Sequence, residues 1–312
     1  MECIRGLYNI RPRHCGAVAT IGNFDGFHRG HRRLIDSLRE RAAALQAPTL
    51  VMLFEPQPRE YFQGAQARPR LMRLSAKLRA LRDAQVDMVL VLRFDARLVA
   101  LSATAFVDEI LVKTLHIRAL VIGDDFRFGT GRGGDFAMLR DAGERHGFSV
   151  ESTATFTEAD HRISSTRLRS ALAAGALDEV QRLIGGPYRY RGRVVHGDAR
   201  GRLIGFPTAN VLMPDPPPLG GVFAVTAEGV GGRCYRGIAN VGRRPTVGGG
   251  CVLLEVHLLD FAGDLYGQPL SVSFLKRLRE ERKFSSLGAL QAQITADRDA
   301  ARAFFAQHGV SS

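Results

Sequence analysis

At 312 residues the chain is long enough for about two domains, and 45% hydrophobic with 24% charged residues excludes wholesale disorder. Its longest apolar runs, at 88–92 and 119–122, fall far short of the ~20 residues that span a bilayer. An integral membrane protein is therefore excluded, and with no apolar signal-like stretch among residues 1–13 a cytoplasmic location is expected. The net charge of +12 invites nucleic acid, but it divides evenly, +6 over residues 1–186 and +6 over 187–312. Arginine supplies 39 of the 43 basic residues, and arginine clamps small phosphates as readily as it grips a polynucleotide. Cys3, Cys15, Cys234 and Cys251 show no paired spacing, so neither disulfides nor structural zinc are expected.

Strand-length apolar runs at 17–21, 49–54, 86–94 and 117–122 alternate with helical patterns at 31–46, 74–84 and 103–115. That rhythm predicts βαβ units and a doubly wound parallel sheet, which binds ligands at the carboxyl ends of its strands. The first strand runs straight into GNFDGFHRGH, residues 22–31. Gly22, Gly26 and Gly30 let backbone approach a ligand, His28 and His31 can converge on one phosphate, and the helix N-terminus favours an anion. Asp25 suits a phosphate poorly and would have to act through a cation. A lone HxGH is equally a Gly-rich turn with surface histidines; the strand-turn-helix context favours the phosphate site. Further on, ISSTRLR at 163–169 opens another helix with hydroxyls that cap it and arginines that can reach phosphate oxygens.

From about residue 188 the pattern changes to short runs separated by Gly and Pro, at 190–195, 221–230, 234–241, 252–258 and 270–275. They predict a mainly antiparallel β-barrel closed by a helix over 286–308, with Leu287, Leu290, Ile294 and Phe304 available to pack. The change places a domain boundary near 185–187, giving domains 1–186 and 187–312. Within VVHGDARGRLIGFPTANV, residues 194–211, Gly197, Gly201 and Gly205 permit backbone cradling of phosphates. Thr208 and Asn210, after Pro207, are hard oxygen ligands suited to Mg²⁺. Glu255 alternates with Val256 on a strand, where a solvated outward residue is the commoner meaning.

GNFDGFHRGH and ISSTRLR resemble the two signatures of the bacterial FAD synthetase family, within the HxGH nucleotidyltransferases, and FEPQP (54–58) and GDDFRFG (123–129) resemble its flavin-side loops. Gln57 stands where family members often carry His. The resemblance implies a Rossmann-like domain in which FMN attacks the α-phosphorus of ATP. Gly22, Asn23, Phe24, Asp25, His28, Gly30, His31, Ser164, Ser165, Thr166 and Arg167 would bind ATP, His28 and His31 in the catalytic role. Phe54, Pro56, Pro58, Asp125, Phe126 and Phe128 would line the flavin, although any of the apolar ones could be core.

The second half, through PTAN (207–210), NVGRRPT (240–246), LEVHLLDF (254–261) and LRxExKF (278–284), is similar to the riboflavin kinase family. There Glu255 would be the general base, Gly197, Gly201, Gly205, Pro207, Thr208 and Asn210 would bind ATP with Thr208 and Asn210 on the metal, and Arg279 would lie near the flavin. Together the halves resemble the prokaryotic bifunctional riboflavin kinase/FMN adenylyltransferases. Riboflavin, FMN and FAD as substrates and products, ATP as co-substrate and Mg²⁺ follow as expectations, with no nucleic-acid or membrane partner. The competing reading, a nucleic-acid-binding protein with an RNA-gripping barrel, rests on net charge and barrel class alone.

Overall fold

A computed structural model describes residues 1–153, 157–158, 161–197, 200–215, 218–230, 232–243 and 252–309. Cys251 and the 244–246 part of NVGRRPT lie outside the described residues, as do residues 198–199 of the Gly-rich loop and residues 216–217. The chain forms two compact units, residues 1–68 with 72–164, and residues 69–71 with 165–312.

In the first unit the strands are β1 (Glu2–Arg5), β2 (Val18–Ile21), β3 (Thr49–Glu55), β4 (Met88–Arg93), β5 (Ala119–Gly123) and β6 (Ser149–Thr153). They form one parallel sheet in the order β1-β4-β3-β2-β5-β6, and a two-residue antiparallel pair, β7 (Thr157–Glu158) with β8 (His161–Arg162), follows. Both faces are covered, which is why β2 is buried at all four positions and β4 at five of six. One apolar layer includes Ile35, Leu38 and Leu81, and the other Phe106, Ile110 and Leu139. From β2 the chain adds β3 and β4 on one side before β5 and β6 build on the other. The order therefore reverses beside β2, and the crevice at the carboxyl ends of β2 and β5 is where such sheets bind ligands.

The helix expected over 103–115 begins at Ser102, whose hydroxyl accepts from the Ala105 amide. From Phe106 to Thr114 it widens to π-helical geometry, with Phe106, Val107, Ile110 and Leu111 buried.

In the second unit, β9 (Tyr188–Val195), β10 (Ala209–Met213), β11 (Gly221–Val230), β12 (Arg233–Arg243), β13 (Val252–Leu258) and β14 (Pro269–Arg279) close an antiparallel barrel in the order β10-β13-β12-β11-β14-β9. Alternation along β13 puts Val252, Leu254, Val256 and Leu258 inside. The helix Leu287–Gln307 packs outside through Ile294, Ala301, Phe304 and Phe305 against Ala224, Ile238 and Leu259. Leu287 instead stands 64% exposed, in the first turn, short of the packed stretch. The helices Ser165–Ala174 and Leu177–Ile184 belong to this unit.

Candidate active sites

The 22–31 turn of the first unit leaves β2 at the point where strand order reverses. Phe24 and Phe27 hold positive φ (47° and 36°), a conformation costly for non-glycine residues and kept here by burying both rings. His28 caps the helix Arg29–Ala44, its Nδ1 accepting from the His31 amide at 3.3 Å. An accepting Nδ1 places the proton of the neutral ring on Nε2. The His28 and His31 rings stack at 3.7 Å, and His31 Nδ1 is buried without a hydrogen-bond partner. A Cβ on Gly30 would meet His28 Nδ1 at 3.2 Å and lie 3.7 Å from the Ile163 carbonyl. This glycine thus lets the ring settle and brings the start of ISSTRLR beside the histidine turn.

Burial, reinforced by the Arg162 guanidinium, pushes His28 down to about 4. Burial, His28 and Lys77 push His31 well below the imidazole range. Both rings are therefore neutral at pH 7, each carrying one N–H and no charge. As pH falls below the ordinary 6.5 of His28, the unfolded chain takes up the proton first, so stability present above 6.5 is lost by about pH 4. Lowering His28 from its ordinary 6.5 to about 4 is worth about 3 kcal/mol. Denaturant titrations from pH 7 to 4 should show that loss, and His28→Asn should flatten the slope.

Asp25 is buried, its Oδ1 accepting from the Met72 amide at 3.0 Å and lying 4.0 Å from the equally buried Lys77 Nζ; Asn23 is exposed. The other loops leave the same edge of the sheet. At the end of β3, Phe54 is half-buried with its ring 5.6 Å from Phe94, Pro56 is exposed, and Pro58 opens a short helix capped by Gln57. Gln57 is buried and its Nε2 has no hydrogen-bond partner. After β5, Phe126 is half-buried and stacks on Phe128 at 5.7 Å, whereas Phe128 is buried against Phe106. Asp125 is exposed and pairs with Arg162 at 2.7 Å. Ser164 closes the first unit and Ser165, Thr166 and Arg167 open the second, where Arg167 pairs with Glu179 at 2.7 Å.

On the barrel, Glu255 of β13 stands opposite Asn210 of β10 on one side and Asn240 of β12 on the other. All three point outward, between core-facing neighbours such as Val211, Leu254 and Val241. Asn240 Nδ2 donates to Glu255 Oε2 at 3.4 Å. Asn210 is 5% exposed and its Oδ1 has no hydrogen-bond partner. A Cβ on Gly197 would fall 2.3 Å from Asn210 Nδ2, and one on Gly201 2.2 Å from the Phe206 carbonyl, so only glycines let this loop lie so close. Gly205, at φ +81°, makes the turn into Pro207, whose carbonyl accepts from His257 Nδ1 at 2.8 Å.

Thr208 is half-buried and borders a cavity of about 390 Å³ with Val194, Arg202 and Tyr266. A second cavity, about 600 Å³, opens beside Gly242 with Arg277, Glu280 and Glu281 on its wall. Arg279 forms a forked pair with the buried Asp297 at 2.8–3.0 Å and lies over the Phe284 ring. Lys77 and Arg162 were not singled out from sequence, and Asn240 entered only as the first residue of NVGRRPT, with no role of its own. Lys77 left a signal there as a cation inside the apolar stripe Leu74, Leu78, Leu81.

The FAD synthetase family model matches residues 10–167 and the riboflavin kinase model residues 184–305. The bifunctional riboflavin kinase/FMN adenylyltransferase of Escherichia coli K12 is 51% identical over 98% of both chains, and that of Haemophilus influenzae 47% identical over 98% of this chain and 99% of its own. A crystal structure from Streptococcus pneumoniae, described as a macrolide-efflux protein, superposes with a TM-score of 0.84 at 30% identity, covering 97% of this chain and 99% of that one.

Proposed function

The chain belongs to the bifunctional riboflavin kinase/FMN adenylyltransferase family, and we propose that its two reactions run at the two sites just described, one in residues 1–186 and one in 187–312. It phosphorylates riboflavin to FMN and adenylylates FMN to FAD, with ATP as co-substrate of both steps. Placement is the observation that supports the division: His28 and His31 sit where the parallel sheet reverses order, and Glu255 sits between two asparagines on the barrel.

In adenylyl transfer an oxygen of the FMN phosphate attacks the α-phosphorus of ATP and pyrophosphate leaves. The attacking group is already ionised, so the protein's task is positioning and charge neutralisation. His28 Nε2–H and His31 direct N–H dipoles at the ATP phosphates, helped by the free amides of the helix start. Ser164, which closes the same unit, serves the same nucleotide on the resemblance of its string, and Gly22, Asn23 and Phe24 shape the turn. Phe54, Pro56, Pro58 and Phe126 face the flavin, Phe128 supports Phe126 from the core, and Asp125 orders Arg162 at the rim.

In the kinase reaction the ribityl hydroxyl attacks the γ-phosphorus, its proton passes to Glu255, and ADP leaves. Asn240 orients that carboxylate. The orphaned Asn210 Oδ1 and the neighbouring Thr208 hydroxyl are hard oxygen donors that suit Mg²⁺. When bound there, the ion would neutralise phosphate charge. Gly197, Gly201, Gly205 and Pro207 form the loop that cradles the nucleotide, next to the cavity at Thr208. The larger cavity beside Gly242 would take the flavin ring, and Arg279, held by Asp297, sits in the chain between its lining residues Arg277 and Glu280.

No helix among the described residues is long and apolar enough to cross a membrane. Gly197→Ala tests the kinase site. Its Cβ would displace Asn210, so FMN formation from riboflavin, followed by flavin chromatography, should fall by at least about tenfold, while supplied FMN is still converted to FAD. Equal loss of both reactions in folded protein would contradict the assignment.

A further inference from the structure

We propose that Lys77 is a positioning residue for adenylyl transfer: its buried ammonium neutralises Asp25, so that the 22–31 turn can receive a polyanion. The inference rests on the reading that this turn binds ATP. A carboxylate inside a phosphate-binding turn is a contradiction in charge, yet Asp25 is 2% exposed and holds the turn by accepting from the Met72 amide at 3.0 Å. That hydrogen bond ties the histidine turn to the chain entering the helix Leu74–Asp83. Lys77, one turn into the helix, lies with its Nζ 4.0 Å from the same Asp25 oxygen, and both side chains are almost wholly out of water.

A buried ammonium among Leu81 and its apolar neighbours is tolerated only beside an opposite charge. The pair resolves the contradiction by making Asp25 an electrically quiet tether. Electrostatics carries the influence of Lys77 onward to His31, whose ring stacks on His28. Removing the ammonium alone adds one net negative charge behind the nucleotide, whereas removing both charges leaves the net charge of the turn unchanged. The effect should therefore fall on ATP, not on the flavin.

The test is steady-state kinetics of FMN adenylylation by full-length Lys77→Met, Asp25→Asn and the double variant, with riboflavin phosphorylation by the same preparations as the control for intact protein. Lys77→Met should raise the KM for ATP at least about tenfold and leave the KM for FMN within about twofold, and adding Asp25→Asn should restore most of the ATP affinity. An unchanged ATP KM in Lys77→Met, or equal impairment of the single and double variants, would overturn the proposal. Should Lys77→Met fail to fold, the double variant decides: adenylylation by it supports charge neutralisation, and its failure overturns it. His28→Ala separates the two levels. An unaltered ATP KM there breaks the assignment of the turn itself, whereas a defective His28→Ala beside a normal Lys77→Met overturns only the role of Lys77.

Discussion

Replacing Glu255 by glutamine is expected to lower FMN formation from riboflavin by about 100-fold to 10,000-fold, the range for loss of a general base. Glutamine keeps the volume and the reach toward Asn240, which lies 3.4 Å from the carboxylate, so the change removes proton affinity and little else. Glu255 projects outward, and its removal disturbs none of the inner packing of Leu254 and Val256. Conversion of supplied FMN to FAD by the same protein should be unaffected. Flavin chromatography from the two starting flavins reads both results at once, and loss of both conversions would refute separate sites.

His28→Ala should produce the mirror image, with FAD formation from FMN falling by at least about 100-fold when the phosphate-directed Nε2–H is lost, and riboflavin phosphorylation unchanged. Alanine also removes the helix cap to the His31 amide, at a cost of about 1 kcal/mol, too little to unfold the unit. His28→Asn separates the two contributions, since asparagine can cap the helix but cannot reach the phosphate. It should be nearly as inactive as alanine while recovering the stability. Because the ring is already neutral above about pH 4, ATP binding should show no imidazole ionisation between pH 5.5 and 8, a window set by that value. An ionisation of His28 inside that window would contradict the dipole account.

The strands of the parallel sheet were legible where burial on both faces leaves a continuous apolar run, as in β2, β3, β4 and β5. β1 and β6 were missed for the opposite reason: as edge strands they carry exposed polar residues, such as Glu2, Arg5 and Ser152. β10 was hidden because its chemistry interrupts its alternation. Asn210 is polar yet buried, and Leu212 is apolar yet 43% exposed. The histidine turn and the Gly-rich loop stood out because their glycines and donors fall at the short spacing that phosphate binding would require. Asn240 could not be weighed without strand register, since it meets Glu255 across β12 and β13, 15 residues away in the chain. The Lys77 pairing with Asp25 is likewise tertiary. Helical periodicity marks Lys77 as an intruder on an apolar face but does not say which carboxylate it meets.

The central claim, one separate site for each reaction, is tested most directly by complementation. Equal amounts of Glu255→Gln and His28→Ala protein are mixed with riboflavin and Mg-ATP, and FAD is followed by chromatography. Neither variant alone should carry riboflavin through to FAD. The mixture should do so, with FMN rising first and FAD following. A mixture that makes FMN but no FAD, although Glu255→Gln protein converts supplied FMN, would contradict the account.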